Sequence, residues 1–331
     1  MSFKRLDPED FLISADFINT PAWSNYSASI SSFPTSNTQV GGSSGDYYVN
    51  VYNINPNLPG NENAEVQFSV AYGDSKGSGS LLYNDSVNGL SPTRTIYGQF
   101  VNLLLGEDEN ASFNFGGTAT NENFYAIVIN RARYKQSILP GSIQIGGIAA
   151  GAGTIRLTDN SSITPVVDYT SAGRRFTLGS GSFGNGVIPS SLTTGVYGYL
   201  YPDVGVIILN PASLNVTTQR DSDQDDNNPQ ALINALSGDP FFLQSQETIA
   251  SDFVFVRARN AEFNYSVNPS FAVSSSAGTI LYNDFIQNPT TYISSIGMYN
   301  DNNELLAVAK LSKPLKKDFT KEALVRVKLD F

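Results

Sequence analysis

Three aspartates at alternate positions come closest, in this sequence, to the spacing of a metal site. Asp221, Asp223 and Asp225 lie in the acidic stretch DSDQDDNN, and alternating carboxylates supply the first ligands of a calcium-binding loop. The EF-hand form of that loop needs glycine at its sixth position and glutamate at its twelfth, where this sequence has Asp226 and Leu232. An irregular calcium site is therefore one hypothesis and a solvated acidic loop is the other. No other cofactor is expected.

The usual catalytic groups are missing from the chain. It contains no cysteine and no histidine, which removes thiolate zinc sites, cysteine nucleophiles and the commonest general base near neutral pH. Gly179, Gly181 and Gly184 spell G-x-G-x-x-G, but the residues GNGVIPSS that follow cannot begin the helix that a dinucleotide site requires. Two carboxylates could hydrolyse a glycoside, and the sequence singles out no such pair. We expect a protein that is not an enzyme.

Two groups of tyrosines offer an alternative, carbohydrate binding. Aromatic rings that alternate along strands can stack on sugars, although such rings more often belong to a core or an interface. The tyrosines concerned are Tyr47, Tyr48, Tyr52, Tyr197, Tyr199 and Tyr201.

A basic cluster near the end of the sequence is the candidate interaction site. Residues 310–331 contain seven bases and three acids, although the net charge of the chain is −10. A basic surface on an acidic protein can pair with an acidic surface of another copy or of a neighbouring protein, and lysines that protect a hairpin edge are the simpler explanation. The net negative charge argues against nucleic-acid binding. The predicted interface residues are Lys313, Lys316, Lys317 and Lys321, in a basic loop spanning 313–321, together with Phe331.

The elements that would position these residues are mostly strands. Apolar residues make up 40% of the chain and charged residues only 15%, and runs rich in Gly, Asn, Ser and Thr separate short apolar segments. We expect an all-β fold of β-sandwich-like domains with a few short helices. Apolar spacing and flanking Gly or Pro predict helices over 93–106 and 229–238, and NFYAIVINRARY (123–134) is typical of a buried strand.

Changes in composition predict three regions. Residues 1–45 are polar and rich in turns, as in an extended arm. Residues 46–245 form a β-rich domain with a glycine-rich insertion at about 141–195, and residues 246–331 form a C-terminal β module that closes on a hairpin. No apolar run approaches the roughly 18 residues of a membrane span, and acidic residues near the N-terminus argue against a signal peptide, so synthesis in the cytoplasm is expected.

Two parts of the sequence are loosely similar to each other. AEVQFSV and TRTIYGQF, within 64–100, correspond to AEFNYSV and TTYISSIGMY, within 261–299. This similarity raises the hypothesis of two related β units.

The residues FIQNPTTYISSIGMYNDNNELLAVAKLSKPLKKDFTKEALVRVKLDF (285–331) resemble the C-terminal module of phage baseplate and fibre-attachment proteins. FKRLDPEDFLISAD (3–16), YNDSVNGLSPTRTIYGQF (83–100) and RARNAEFNYSVNPSF (257–271) are similar to virion structural proteins of T-even-like contractile-tailed phages, including those of cyanobacteria. Length and C-terminal pattern are most similar to the baseplate wedge subunit family.

The resemblance implies a structural component of the virion tail baseplate, assembled in the host cytoplasm. Such a subunit would link neighbouring tail proteins and fibres, as a homo-oligomer (a dimer) within a larger assembly. A receptor- or carbohydrate-binding tail protein and a neck or fibre adaptor are the alternatives.

Overall fold

The computed structural model describes residues 4–36, 47–80, 91–107, 111–116, 122–150, 153–164, 166–192, 196–214, 228–236, 239–266 and 284–330. It is mostly β, with antiparallel sheets, one of them curled into a half-barrel, and few short helices. The predicted fold class is therefore confirmed. The chain divides into two compact units: a smaller unit of Met1–Asp16 with Thr248–Phe331, and a larger unit of Phe17–Glu247.

The strands of the described residues, in chain order, are β1 (Phe11–Pro21), β2 (Ser29–Ile30), β3 (Tyr48–Tyr52), β4 (Val66–Asp74), β5 (Asn123–Ile129), β6 (Ser137–Ile138), β7 (Ile145–Ala150), β8 (Gly153–Asp159), β9 (Asp168–Thr170), β10 (Gly173–Ser182), β11 (Gly186–Val187), β12 (Gly198–Tyr201), β13 (Val206–Leu209), β14 (Phe241–Phe242), β15 (Gln244–Ala258), β16 (Thr290–Tyr299), β17 (Leu305–Asp318) and β18 (Ala323–Asp330). The α-helices are α1 (Pro92–Leu105), α2 (Pro211–Leu214), α3 (Asn228–Leu236) and α4 (Asp284–Gln287). Short 3-10 turns occupy Pro8–Asp10, Arg131–Arg133, Asn160–Ser162 and Pro189–Leu192.

The larger unit is built on one antiparallel sheet in the order β3-β4-β5-β13-β12-β10-β8-β7, with β9 and β11 paired to β10. Its central strands β5 and β13 are apolar at nearly every position because both faces are covered. Tyr125 and Ile127 of β5 belong to one hydrophobic core, while Phe124 and Ala126 belong to a second core on the opposite face. The predicted buried strand within 123–134 is thus confirmed for Asn123–Ile129.

Both predicted helices are present, and each covers one of the two cores. Helix α1 places Phe100 and Leu104 in the second core, and Gly106 ends the helix with φ +103°, a conformation that glycine adopts without a steric penalty. Helix α3 contributes Leu232 and Leu236 to the first core.

The glycine-rich region 141–195 is not an insertion. Its strands β7, β8 and β10 belong to the large sheet, and Leu157 and Leu178 lie in the first core. A Cβ on Gly181 would come within 2.3 Å of the Gly186 carbonyl oxygen, so this glycine allows β11 to lie tightly against β10. A hairpin follows these glycines, in place of the α-helix that the G-x-G-x-x-G pattern of a dinucleotide site requires.

Part of the region predicted as an arm is packed into the larger unit. Trp23 is buried, its ring lies 5.1 Å from the ring of Phe241, and its Nε1 donates a hydrogen bond to the Phe241 carbonyl oxygen at 3.1 Å. Ala22 and Ile30 are buried in the same core. The prediction of an arm is wrong for these residues, because one aromatic anchor suffices to dock an otherwise polar stretch.

The smaller unit contains β18 paired with β15, the part of β1 up to Asp16, and a separate two-stranded ribbon, β16–β17. The expected terminal hairpin is wrong: β18 pairs with β15, residue for residue from Ser251–Asp330 to Ala258–Ala323, while β17 pairs with β16. Among the described residues of this unit, the only buried apolar side chains are Val254, Ala258, Ala323 and Val327.

In the part of the chain that the structure describes, we find no helix with the length and apolarity needed to cross a bilayer.

Candidate assembly surface

The ribbon β16–β17 is fixed at one end by buried polar residues. Thr290 and Thr291 pair with Asp318 and Lys317, respectively, and all four side chains are buried. The Thr291 hydroxyl donates to the Phe263 carbonyl oxygen at 2.5 Å. These contacts attach this end of the ribbon, which we call its root, to the loop that follows β15.

Lys317 is the centre of this root. Its side chain is 0% exposed, and its ammonium donates to the Asn260 carbonyl at 3.0 Å, the Asn264 side-chain oxygen at 2.8 Å and the Asp318 carbonyl at 2.9 Å. Three acceptors match the three N–H donors of an ammonium. The lysine thus holds a turn of the preceding loop to the end of β17.

Asp318 fixes the turn that leaves the root. Its carboxylate accepts hydrogen bonds from the Thr320 hydroxyl at 2.5 Å and from the Thr320 amide at 3.0 Å. These bonds, helped by Lys321 and Lys316, hold the pKa of Asp318 below its usual value. These hydrogen bonds fix the turn through which the chain passes from β17 into β18.

Beyond the root, the ribbon exposes large apolar side chains. Alternate residues of a strand share a face, and Leu306 and Val308 on one face of β17 are 67% and 62% exposed. Lys310 follows on the same face, and Tyr292 of β16 is also exposed. An isolated two-stranded ribbon is marginal at best in water, so the contacts at its attached end matter for its stability.

A large bulge interrupts the pairing of the ribbon halfway along. Ile293 pairs with Leu315 and Ser295 with Lys310, so residues 311–314 of β17 stand opposite the single residue Ser294. Pro314 lies in this bulge, where its missing N–H breaks no ladder hydrogen bond. The bulge therefore sets the direction of the outer half of the ribbon.

The tip of the ribbon is held by its own hydrogen bonds. The Asn300 side-chain oxygen accepts from the amides of Asn302 at 3.0 Å and Glu304 at 2.8 Å, and Asn303 takes a left-handed conformation with φ +62°. Asparagine tolerates that conformation better than most residues. The ribbon is thus ordered at both ends.

Strand β1 is a second exposed apolar surface. Phe11, Ile13 and Phe17 share one face of the strand and all are exposed, Ile13 by 77%. Among the described strands it pairs with β15 alone, at the edge of the sheet. Two exposed acids, Asp7 and Glu9, come just before it.

The structure separates the predicted interface residues. Lys313 and Lys316 are exposed on β17, and Lys321 is exposed in the turn before β18. Lys317 is buried, so its assignment to the interface is wrong; its ammonium is already saturated by oxygens of its own chain. The predicted basic loop over 313–321 is also wrong for 313–318, which are strand. Phe331 lies outside the described residues.

The predicted calcium ligands Asp221, Asp223 and Asp225 also lie outside the described residues. Within the ranges that are described, no group of three or more acidic, histidine or cysteine side chains is placed to hold a metal ion.

The tyrosines of 197–201 do not form an exposed sugar-stacking surface. Tyr199 and Tyr201 are buried in the second core, and the Arg175 guanidinium lies 4.7 Å from the centre of the Tyr199 ring. Burial raises the pKa of Tyr201 to about 12. Tyr197 packs against the first core. In the other group, Tyr48 is exposed on the edge strand β3.

The excess of basic residues in the sequence predicted an interface at the lysines of the ribbon. The exposed apolar residues of β1 were not predicted. FLISADF alternates Phe11, Ile13, Ala15 and Phe17 on one face, a signal typical of a strand. The polar residues that follow dominate the composition of residues 1–45, so this alternation was not recognised as a strand.

Comparison of the chain with protein-family models, with curated proteins and with solved structures yields no match.

Proposed function

We propose that this chain is a non-enzymatic structural subunit of a phage tail baseplate, of the wedge type, and that it binds neighbouring subunits through the smaller unit. The observation that carries the proposal is the ribbon β16–β17. It is rooted by Lys317 and ordered at its tip, yet it exposes Leu306 and Val308 to solvent. A fixed projection with an apolar surface is suited to docking and has no evident use in a monomer.

The second support is the resemblance of residues 285–331 to phage baseplate and fibre-attachment modules. These residues include the ribbon β16–β17 and strand β18.

Localisation in virus particles tests the proposal. We expect the chain to co-purify with intact particles and gold-labelled antibodies against it to decorate the distal end of the tail. Absence from particles would overturn the proposal. A label at the neck would favour the alternative function, a neck adaptor, over a baseplate subunit.

A matched pair of substitutions tests the role of the ribbon in the same particles. Val308→Asp places a charge on the ribbon, and Val166→Asp places the same charge on a valine of the larger unit that is 75% exposed. We expect the first variant to be lost from particles and the second to be retained. Equal retention would contradict docking through the ribbon.

Carbohydrate binding has less support, because Tyr199 and Tyr201 lie in a core. A glycan array with the purified chain is expected to stay silent.

A further inference from the structure

The smaller unit contains a surface cavity beside the loop that follows β15. Its volume is about 500 Å³, which lies within the range of small-ligand pockets, roughly 300–1,000 Å³. Lys4 and Arg5 line it from the N-terminal segment, and Arg259 with residues 261–265 line it from the loop. All of these residues belong to the smaller unit. None of them belongs to the ribbon β16–β17, so the cavity is distinct from the proposed docking surface.

The charges that line the cavity do not cancel. Three cations, Lys4, Arg5 and Arg259, stand against one acid, Glu262, which leaves two positive charges in excess. The chain as a whole has a net charge of −10, so this excess is a local feature of the cavity. A concave site with positive charge raises the local concentration of anions.

The carboxylate in the cavity is already bound by its own chain. Glu262 accepts a hydrogen bond from the Arg259 amide at 2.8 Å and lies 3.8 Å from the Lys4 ammonium, which also donates to the Arg257 carbonyl oxygen. The bond from the Arg259 amide, helped by Lys4, holds the pKa of Glu262 below its usual value. The guanidinium groups of Arg5 and Arg259 have no hydrogen-bond acceptor and no ion-pair partner among the described residues. These two groups are therefore available to a ligand.

The loop that forms one wall of the cavity is ordered by its own contacts. The Asn264 side-chain amide donates to the Asn260 carbonyl oxygen at 2.6 Å, and the Lys317 ammonium binds both residues. The Thr291 hydroxyl holds the Phe263 carbonyl oxygen. Phe263 takes a left-handed conformation with φ +59°, which a bulky residue keeps only where its surroundings enforce it. A wall that is ordered in advance lowers the cost of binding.

We propose that this cavity binds a phosphate dianion, either inorganic phosphate or the phosphate group of a monoester. A phosphate monoester carries roughly −1.5 to −2 charges at pH 7, which matches the two positive charges in excess, whereas a carboxylate would balance only one. The planar guanidinium groups of Arg5 and Arg259 can each donate two parallel hydrogen bonds to phosphate oxygens.

The cavity also has room beside a phosphate for the group that carries it. Tyr265 lines the cavity and its side chain is 64% exposed. An exposed aromatic ring offers an apolar face on which the body of a ligand can pack. We therefore expect a sugar phosphate to bind more tightly than inorganic phosphate.

Isothermal titration calorimetry with the full chain tests the proposal. The probes are glucose 6-phosphate, inorganic phosphate, glucuronate (a similar ring with a single carboxylate) and glucose. We expect glucose 6-phosphate to bind at least tenfold more tightly than glucuronate and glucose to give no binding heat. Inorganic phosphate that binds as tightly as the ester would identify free phosphate as the ligand, and weaker binding would identify a monoester. No binding of either phosphate probe, or equal binding of glucuronate, would overturn the proposal.

Matched substitutions test whether the cavity is the site of binding. Arg5→Gln and Arg259→Gln each remove one available guanidinium, and Arg94→Gln makes the same change at an exposed arginine of helix α1 in the larger unit. We expect each of the first two to weaken the binding of glucose 6-phosphate at least tenfold and the third to leave it unchanged. Arg259→Lys should give a smaller loss, because an ammonium keeps the charge without the planar fork. Equal affinity in all four variants, with circular dichroism showing each of them folded, would overturn the cavity as the site.

This inference does not depend on the proposed structural function. A chain that binds phosphate but is absent from virus particles refutes the structural function and retains the phosphate site. A chain that enters particles but binds neither phosphate probe refutes the phosphate site and retains the structural function.

Discussion

At the scale of single residues, Lys317 shows what charge counting cannot determine. The sequence places it among exposed neighbours, Lys313 and Lys316, with the same side-chain chemistry. Only the pairing of Thr291 with Lys317 and the turn containing Asn260 and Asn264 bring three oxygens around its ammonium. Two of the three acceptors, on Asn260 and Asn264, come from residues more than 50 positions away, so no local pattern predicts them.

Replacing this lysine tests its role at the root. Lys317→Met keeps the length of the side chain but leaves two carbonyls and one amide oxygen without their donor. A buried acceptor left unpaired costs about 1–3 kcal/mol, so we expect the smaller unit to lose at least that much stability. Urea unfolding followed by circular dichroism provides the measurement.

Lys313→Met is the matched control for this substitution. Its side chain is exposed in the bulge of β17, and surface substitutions usually change stability by no more than about 0.5 kcal/mol. If the two variants unfold at the same urea concentration, the buried ammonium does not hold the root.

At the scale of elements, the sequence was most informative where burial on both faces leaves a continuous apolar run. The strand within 123–134 and the helices over 93–106 and 229–238 were predicted because their apolar spacing is local. The terminal hairpin was not predictable, since β18 pairs with β15, about 70 residues earlier in the chain. The exposed surface of β1 was missed for a related reason. A local sequence pattern can indicate a strand, but whether that strand lies at the edge of a sheet depends on the order of all its strands.

The internal similarity between 64–100 and 261–299 makes the same point. TRTIYGQF lies in helix α1, whereas the corresponding TTYISSIGMY forms strand β16. AEVQFSV enters strand β4 of the large sheet, whereas residues 261–266 are turn or irregular. The hypothesis of two related β units is therefore wrong for the described residues, because tertiary packing overrides local similarity.

The bulge in β17 can be tested as an element. Deleting residues 312–314 leaves Leu311 opposite Ser294, so that the ladder from Ile293 to Ser295 becomes regular. A bulge bends and twists its strand, and we expect the deletion to keep the unit folded but to redirect the outer ribbon. The deletion variant should then be lost from virus particles. Pro314→Ala, which retains the bulge, should be retained in them, and a loss of both variants would contradict this account.

At the scale of the whole molecule, the two units differ in what stabilises them. The larger unit has two extensive cores on the faces of one sheet. In the smaller unit, the described residues bury four apolar side chains and form a ribbon that is mainly exposed. If a second copy covers it, its stability must depend on protein concentration, because association stabilises the folded state by mass action.

Thermal unfolding of the full chain should therefore show two transitions. Trp23 is the only tryptophan and is buried in the core of the larger unit, so its fluorescence reports that unit alone, whereas circular dichroism reports both. A hundredfold increase in protein concentration should raise the midpoint of the smaller unit by several degrees and leave the Trp23 transition unchanged. Val308→Asp should abolish the concentration dependence and Val166→Asp should preserve it. A first transition independent of concentration in the unsubstituted chain would mean that the smaller unit is complete without a partner, because no mass-action term would then contribute to its stability.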